Sequence, residues 1–196
     1  RCFITGGGFH PGLPAAIIRY AGQYFDKMEK AIVCSVVNID YRNYEFSESN
    51  KIEFVEEVVD FQPFFYKNGE WQKINLMSSK DFVVMDFGGE FGKKQCAPMF
   101  FEELREIPTI FPTLNHAGFY IAGFNCFIDY LVFPFIFISL KLFPKLLIKP
   151  MSKLMVWGLT TFSKPPYGLV MKLEASGEKN GKLKNIEIQL SHKDGY

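Results

Sequence analysis

The residues best suited to chemistry lie in a glycine-rich segment near the start of the chain. Gly6, Gly7 and Gly8 are followed by Phe9-His10-Pro11-Gly12. Glycines leave backbone N–H groups open to a bound anion, and an imidazole between such a loop and a helix can donate to a substrate carboxylate or move a proton. A tight turn that needs glycine, with His10 as a structural hydrogen-bonding residue, is the alternative interpretation.

Other signatures of catalysis are absent from the sequence. It contains neither GxGxxG nor GxxxxGK[ST], so we expect no complete nucleotide site within the chain. There is also no GxSxG elbow and no HExxH motif. His116 and His192 lack metal-ligand spacing to His10 or to any cysteine, and the sequence therefore predicts no metal site.

Composition excludes several classes of protein. The chain has 22 basic and 21 acidic residues and a net charge of +1, which gives no general attraction for nucleic acid. Its 22 Phe, 9 Tyr and 2 Trp exclude a disordered chain. The four cysteines show no CxxC pairing, which indicates a reducing cytoplasm rather than a disulfide framework: Cys2, Cys34, Cys96 and Cys126.

Hydrophobic periodicity predicts an α+β fold, with a mainly antiparallel or mixed sheet covered by helices, in a single domain over residues 1–196. The predicted helices begin at Pro14, at a capping box formed by Asn50 and Glu53, and at Phe100, the last being stopped by Pro108. The predicted strands and hairpins occupy 31–39, 64–66 with 71–74 around Asn68-Gly69, 82–87, 94–97, and 169–175 with 183–191.

The apolar run from Phe119 to Phe143 is as long as a membrane-spanning helix. Asn125, Asp129 and Pro134 argue against a span, and the pattern favours a buried strand that turns into a helix near Asn125. We expect the helix to be buried in the fold and partly in a two-fold dimer contact. Its predicted outward stripe consists of Tyr130, Phe133 and Phe137.

Lysines recur every fourth residue after this run, at Lys141, Lys145, Lys149 and Lys153. Pro144 and Pro150 are expected to break a single long helix, so the lysines would align only within its pieces. The region 119–153 is thus an apolar, lysine-edged surface that could contact a lipid headgroup, a second subunit or an anionic ligand. A solvated helix face over the core is the simpler alternative.

The segment Thr5–Tyr20, TGGGFHPGLPAAIIRY, resembles the segment that follows the nucleotide-binding domain in saccharopine dehydrogenase-like oxidoreductases. The resemblance extends over most of the chain, through Asn68-Gly69-Glu70-Trp71, the Gly88–Gly92 turn and the last residues, Ser191 to Tyr196. It implies that the chain is the substrate-binding and dimerisation domain, excised from a two-domain enzyme. The start at Arg1 rather than at methionine agrees with that expectation.

In such an enzyme a separate Rossmann domain binds NAD or NADP, and this chain would bind neither cofactor and be inactive alone. The resemblance implies an amino-acid-like or imine substrate, with His10 as the catalytic residue and a substrate-binding loop made of Gly7, Gly8, Phe9, Pro11 and Gly12. It also implies a homodimer. A non-catalytic module that binds a membrane or a protein through residues 119–153 is the second hypothesis.

Overall fold

The computed structural model describes residues 7–74 and 79–192, which contain five α-helices and eight strands. The helices are α1 (Leu13–Gly22), α2 (Glu48–Val59), α3 (Ile107–Ile110), α4 (Phe133–Leu142) and α5 (Pro144–Phe162). The strands are β1 (Lys27–Asn38), β2 (Phe64–Lys67), β3 (Glu70–Lys73), β4 (Val83–Asp86), β5 (Lys93–Met99), β6 (His116–Ala122), β7 (Gly168–Lys179) and β8 (Lys182–His192).

The eight strands form one mixed sheet in the order β3-β2-β6-β1-β7-β8, with β5 also paired to β6 and β4 paired to β5. Strands β1 and β6 are parallel, with Cys34 opposite Tyr120. The β2–β3, β2–β6, β4–β5 and β5–β6 pairs are antiparallel. Helices and a mixed sheet occur together, so the predicted α+β fold is confirmed.

Contacts within the chain group its residues into two compact units. The single domain predicted over residues 1–196 comprises both of them. The described residues of the first unit fall within 7–35, 62–122 and 170–191. In its core, the apolar face of α1 (Ile17, Ile18 and Ala21) belongs to one cluster with Val33 of β1 and Phe119 of β6. The periodicity that predicts α1 therefore reflects this packing.

The described residues of the second unit fall within 36–61, 123–169 and His192, and most of them are helical. Helices α2, α4 and α5 supply its core, which includes Val55, Ile136 and Met155. Gly158 of α5 lies against Ile128, so that a side chain at position 158 would overlap the Cδ1 atom of Ile128. A side chain at this position would therefore require the Ile128 side chain to change its conformation.

Two predicted hairpins and the predicted change from strand to helix agree with the structure. The Asn68-Gly69 turn has positive φ angles at both residues, 54° and 92°, as the two-residue hairpin requires. Asn180 and Gly181 make the same kind of turn between β7 and β8. Strand β6 ends at Ala122 and the chain is helical from Cys126, so the apolar run does contain a strand followed by a helix.

The predicted start of α2 is wrong by one helical turn. The N-cap is Ser47, whose Oγ accepts a hydrogen bond from the backbone N–H of Asn50 at 3.1 Å. Asn50 itself already lies within the helix. Because Ser47 caps the helix one turn earlier, Asn50 is already helical and the Asn50–Glu53 capping box does not form.

Two prolines do not act as predicted. Pro108 lies in the first turn of α3, where its missing N–H costs nothing, and the helix predicted at Phe100–Glu106 is only a 3₁₀ turn at Glu102–Leu104. Pro144 begins α5, as expected of a residue that ends the preceding helix. Pro150, by contrast, lies inside α5 without breaking it, so Lys145, Lys149 and Lys153 belong to one continuous helix.

The outward stripe predicted for the apolar helix is also misplaced. Tyr130 is exposed, but Phe133 is half-buried against Phe124 at 5.8 Å between ring centroids, and Phe137 is half-buried as well. The cause is a π-helical turn at Ile128–Val132, which turns the following residues away from regular α-helical spacing. Within the described residues, no helix has the length and apolar character needed to cross a membrane.

Strands β1 and β7 approach so closely at Gly177 that a Cβ there would overlap the Lys27 carbonyl oxygen and lie 2.9 Å from the Cα of Met28. We expect Gly177→Ala to lower the free energy of unfolding by about 1–3 kcal/mol, because backbone atoms must move to admit the methyl group. Chemical denaturation measures this, with Ser176→Ala on the same strand as the control. Equal stability of the two variants would contradict the close approach.

Candidate functional site

The predicted substrate-binding loop, residues 7–12, lies immediately before α1 in the first unit. Its own backbone holds it closed: the Gly8 N–H donates to the Pro11 carbonyl at 2.8 Å, and the Leu13 N–H donates to the Gly8 carbonyl at 3.1 Å. Gly12 has a φ of 121°, a conformation that favours glycine. The sequence therefore builds a compact loop whose outer residues, Gly7, Gly8 and Pro11, are exposed.

The His10 side chain is tied to strand β1. Its Nε2 lies 3.4 Å from the Oγ of Ser35, which itself donates to the carbonyl of Val170 at 3.2 Å. Because the Ser35 proton is used on Val170, the hydroxyl oxygen accepts from Nε2–H of His10. This arrangement selects one tautomer and leaves the Nδ1 lone pair free, since Nδ1 has no hydrogen-bond partner within residues 7–74 and 79–192.

Aromatic rings surround the imidazole. Its ring centroid lies 4.9 Å from that of Phe9, 5.4 Å from that of Phe119 and 6.4 Å from that of Phe101, which is stacked parallel to it. This burial lowers the pKa of His10 to about 4. At neutral pH the group is thus uncharged, and its free nitrogen is suited to accept an N–H or O–H from a ligand rather than to bind a carboxylate by charge.

A second polar group lacks a partner in the same unit. The Oε1 atom of Glu103 is buried and forms no hydrogen bond with any described residue. Glu103 lies in the 3₁₀ turn at Glu102–Leu104, two residues after Phe101, and the buried Leu104 of this turn belongs to the same core cluster as Ile17 of α1. A buried carboxylate oxygen without a donor is the natural partner of a ligand ammonium or amine.

The parallel pairing of β1 and β6 creates a second polar cluster, which the sequence does not predict. His116 Nε2 lies 3.1 Å from the hydroxyl of Tyr120, and the thiols of Cys34 and Cys96 contact each other. Burial, and then the positive charges of Lys30 and Lys67, lower the pKa of His116 to about 4.

Two other members of this cluster, Tyr120 and Cys34, have raised pKa values. Burial raises the pKa of Tyr120, and the hydrogen bond with Cys96 together with burial raises that of Cys34. Cys34, Tyr120 and Cys96 are almost fully inaccessible to solvent. These groups therefore lie inside the sheet, where they serve packing and hydrogen bonding.

The cysteines that the structure describes are all free; Cys34 and Cys96 are buried and Cys126 is exposed. Cys2 lies outside the described residues. Within the described part of the chain, no group of three or more His, Cys, Asp or Glu side chains is placed to hold a metal ion.

The predicted site residues Gly7, Gly8, Phe9, His10, Pro11 and Gly12 lie together in one loop, and Gly6 lies outside the described residues. Sequence reasoning missed Ser35 and Glu103, which lie far from the loop in sequence. Ser35 could have been predicted to have a hydrogen-bond partner. It is the one hydroxyl within the apolar run Ala31–Val37, and a buried hydroxyl needs a partner. Nothing in the sequence around Glu103 distinguishes it from Glu102 and Glu106.

The low pKa values of His10 and His116 predict a pH dependence of stability. Their folded-state pKa values, about 4, lie below the ordinary value of 6.5, so between these limits the unfolded chain takes up protons that the folded chain does not. The free energy of unfolding should therefore fall as the pH drops from about 6.5 to about 4.

Denaturation at several pH values tests this, with the double variant His10→Gln/His116→Gln for comparison. Carboxylates lose stability on acidification in both proteins, so the decisive quantity is the difference in slope between them. The variant should show the weaker pH dependence over this window. Identical slopes, or imidazole NMR signals that titrate near pH 6.5 in the folded protein, would contradict the burial of the two rings.

Comparison with known proteins adds no assignment to this geometry: no family model matches the sequence, and no curated protein matches it significantly.

Proposed function

We propose that the first unit forms the substrate side of an NAD(P)-dependent oxidoreductase of the saccharopine dehydrogenase-like kind, acting on an amino-acid-like or imine substrate. The observation that carries the proposal is the state of His10. One imidazole nitrogen is fixed by Ser35, and the other is free on a neutral ring that borders an exposed glycine loop. This is the arrangement of a group that orients a ligand through a hydrogen bond.

The chemistry of the unpartnered groups agrees with an amino-acid-like substrate. The Nδ1 atom of His10 can accept an N–H or O–H, and the buried Oε1 of Glu103 can accept from an ammonium or amine. Both groups are acceptors, and a substrate with an amine supplies the donors. On this proposal His10 holds and orients the substrate and, with its lowered pKa, accepts a proton only weakly.

The described residues do not themselves fit a dinucleotide. The sequence has no GxGxxG, and the loop before α1 is closed by hydrogen bonds of its own backbone. We therefore derive no step through NAD(P) from this chain. The proposal assigns the cofactor to a Rossmann domain elsewhere in the same protein. The homodimer remains a prediction of the resemblance, and the cytoplasmic location remains a prediction of the cysteine pattern.

The reading frame upstream of Arg1 gives the first test. The proposal expects it to encode a strand followed by GxGxxG and a helix. It also expects the 196-residue chain alone to bind neither NAD nor NADP. In titration calorimetry, a dissociation constant tighter than about 10 μM, which corresponds to roughly 7 kcal/mol, would contradict this division of roles.

The role of His10 is tested in the complete enzyme, with NAD(P)-linked turnover of amino acids and their N-carboxyalkyl derivatives as the assay. His10→Gln keeps a donor for Ser35 but removes the acceptor at the Nδ1 position, and should lower kcat/KM by roughly tenfold to ten-thousand-fold. His10→Asn returns an acceptor to that position and should recover part of the loss.

His116→Gln is the matched control, because this histidine is also neutral and partly buried but lies away from the loop. Its kcat/KM should stay within about twofold of the parent enzyme. If His10→Gln were as active as the control while its thermal stability fell, His10 would have only the structural role that its aromatic neighbours also permit.

A further inference from the structure

Helix α4 leaves an apolar face uncovered in the second unit. Phe135, Ile138 and Leu142 follow one another at intervals of three and four residues, so they share one side of α4, and Leu131 lies in the π-helical turn just before it. Each has between 54% and 64% of its surface exposed. The opposite side, with Val132, Ile136 and Leu140, belongs to the core, so the exposed residues are not needed to hold the unit together.

The apolar surface continues past the end of α4. Phe143 and Leu146, at the corner between α4 and α5, are exposed to 58% and 74%. Together with Leu131 and the three residues of α4 they form what we call the hairpin face. Six large side chains at roughly 100 Å² each reach the upper end of the 300–600 Å² range of the largest apolar patch on a typical monomer. A surface of this size marks a place where something else binds.

The charged residues along the chain from Leu131 to Leu173 are all lysines, and Asp129 lies just before this stretch. No acidic residue occurs from Leu131 to Leu173, whereas Lys141, Lys145, Lys149 and Lys153 are all exposed. Because α5 is continuous through Pro150, three of these lysines recur at four-residue intervals on one helix. Apolar side chains beside a row of lysines are the pattern of a helix that lies in a membrane interface.

Acidic residues of α2 lie near part of this row of lysines and offset part of its positive charge. Glu56 and Asp60 line a groove together with Lys145. Glu48 is paired with Lys51 at 2.8 Å and also feels the charges of Lys153 and Lys149. Val59 of α2 lines the same groove and is itself partly exposed.

We propose that the hairpin face docks on an anionic lipid surface, with its six apolar side chains in the headgroup region and the lysines against the lipid phosphates and carboxylates. A second copy of the chain is the weaker candidate. In a two-fold contact the same face would meet itself and bring the two lysine rows together. The contact is interfacial, since no described helix can span the bilayer. This inference goes beyond the proposed function and does not depend on it.

Flotation of the 196-residue chain with lipid vesicles tests the proposal. We expect binding to phosphatidylcholine vesicles that contain phosphatidylserine and at least tenfold weaker binding to phosphatidylcholine alone. The triple variant Lys141→Gln/Lys145→Gln/Lys149→Gln should also bind at least tenfold more weakly, since each lysine near an anionic surface contributes about fivefold. Its control, Lys93→Gln/Lys94→Gln/Lys182→Gln, removes the same charge from exposed positions elsewhere and should bind like the parent.

The apolar part is tested with Leu131→Ser/Phe135→Ser/Ile138→Ser, which should bind more than tenfold more weakly and keep the parent's circular dichroism spectrum. Val84→Ser/Leu183→Ser changes two exposed apolar residues of the sheet and is the control. If the serine triple variant were to misfold, the comparison between the two lysine variants would still test the proposal. Equal binding to neutral and anionic vesicles would overturn the proposal. So would a chain that ignores vesicles and forms a dimer that the serine triple abolishes.

Discussion

The first unit depends on the burial of strand β1. Every residue from Ala31 to Val36 is buried, so the strand has no face on which to place an uncompensated polar group. Its backbone is paired with β6 on one side and β7 on the other. Ser35, the one hydroxyl in this stretch, must therefore find partners, and it finds them in the Val170 carbonyl and in His10. The contact between Ser35 and His10 therefore holds the glycine loop against β1.

The same burial determines the protonation of the two described histidines of the first unit. Each gives one nitrogen to a hydroxyl, His10 to Ser35 and His116 to Tyr120, and each is surrounded by aromatic side chains. Their neutral state is a consequence of the sheet and its covering rings. What separates them is their position: the free nitrogen of His10 borders a partly exposed loop, which makes His10 the candidate for ligand contact, whereas His116 lies in strand β6 of the sheet.

Local sequence signals predicted the local structure well. The Asn68-Gly69 and Asn180-Gly181 turns, the amphipathic α1 and the change from strand to helix after Ala122 all depend on neighbours in sequence. The errors arose where local rules competed or where contacts are distant. Ser47 replaced Asn50 as the cap because both offer a side-chain oxygen, and Pro150 is accepted within α5 despite its missing N–H.

The candidate site was predictable only in its contiguous part. Residues 7–12 stand next to one another in the sequence, and their composition already indicated a loop before a helix. Ser35 and Phe119 reach His10 from two separate strands, and no periodicity in the sequence indicates that these residues meet. The exposed residues of the hairpin face were not predictable from periodicity either. The π-helical turn at Ile128–Val132 changes which of the following residues point outward.

The contrast among the cysteines gives the chain a built-in attachment point for spectroscopy. Cys34 and Cys96 are sealed within the sheet, whereas Cys126 is exposed where the helical segment before α4 begins. After Cys2 is replaced by serine, a thiol-reactive fluorophore would attach to Cys126 in the folded chain. Such a dye stands about one and a half helical turns before Leu131. Its emission colour would then report on the solvent at that end of the helix without any change to the residues of the hairpin face.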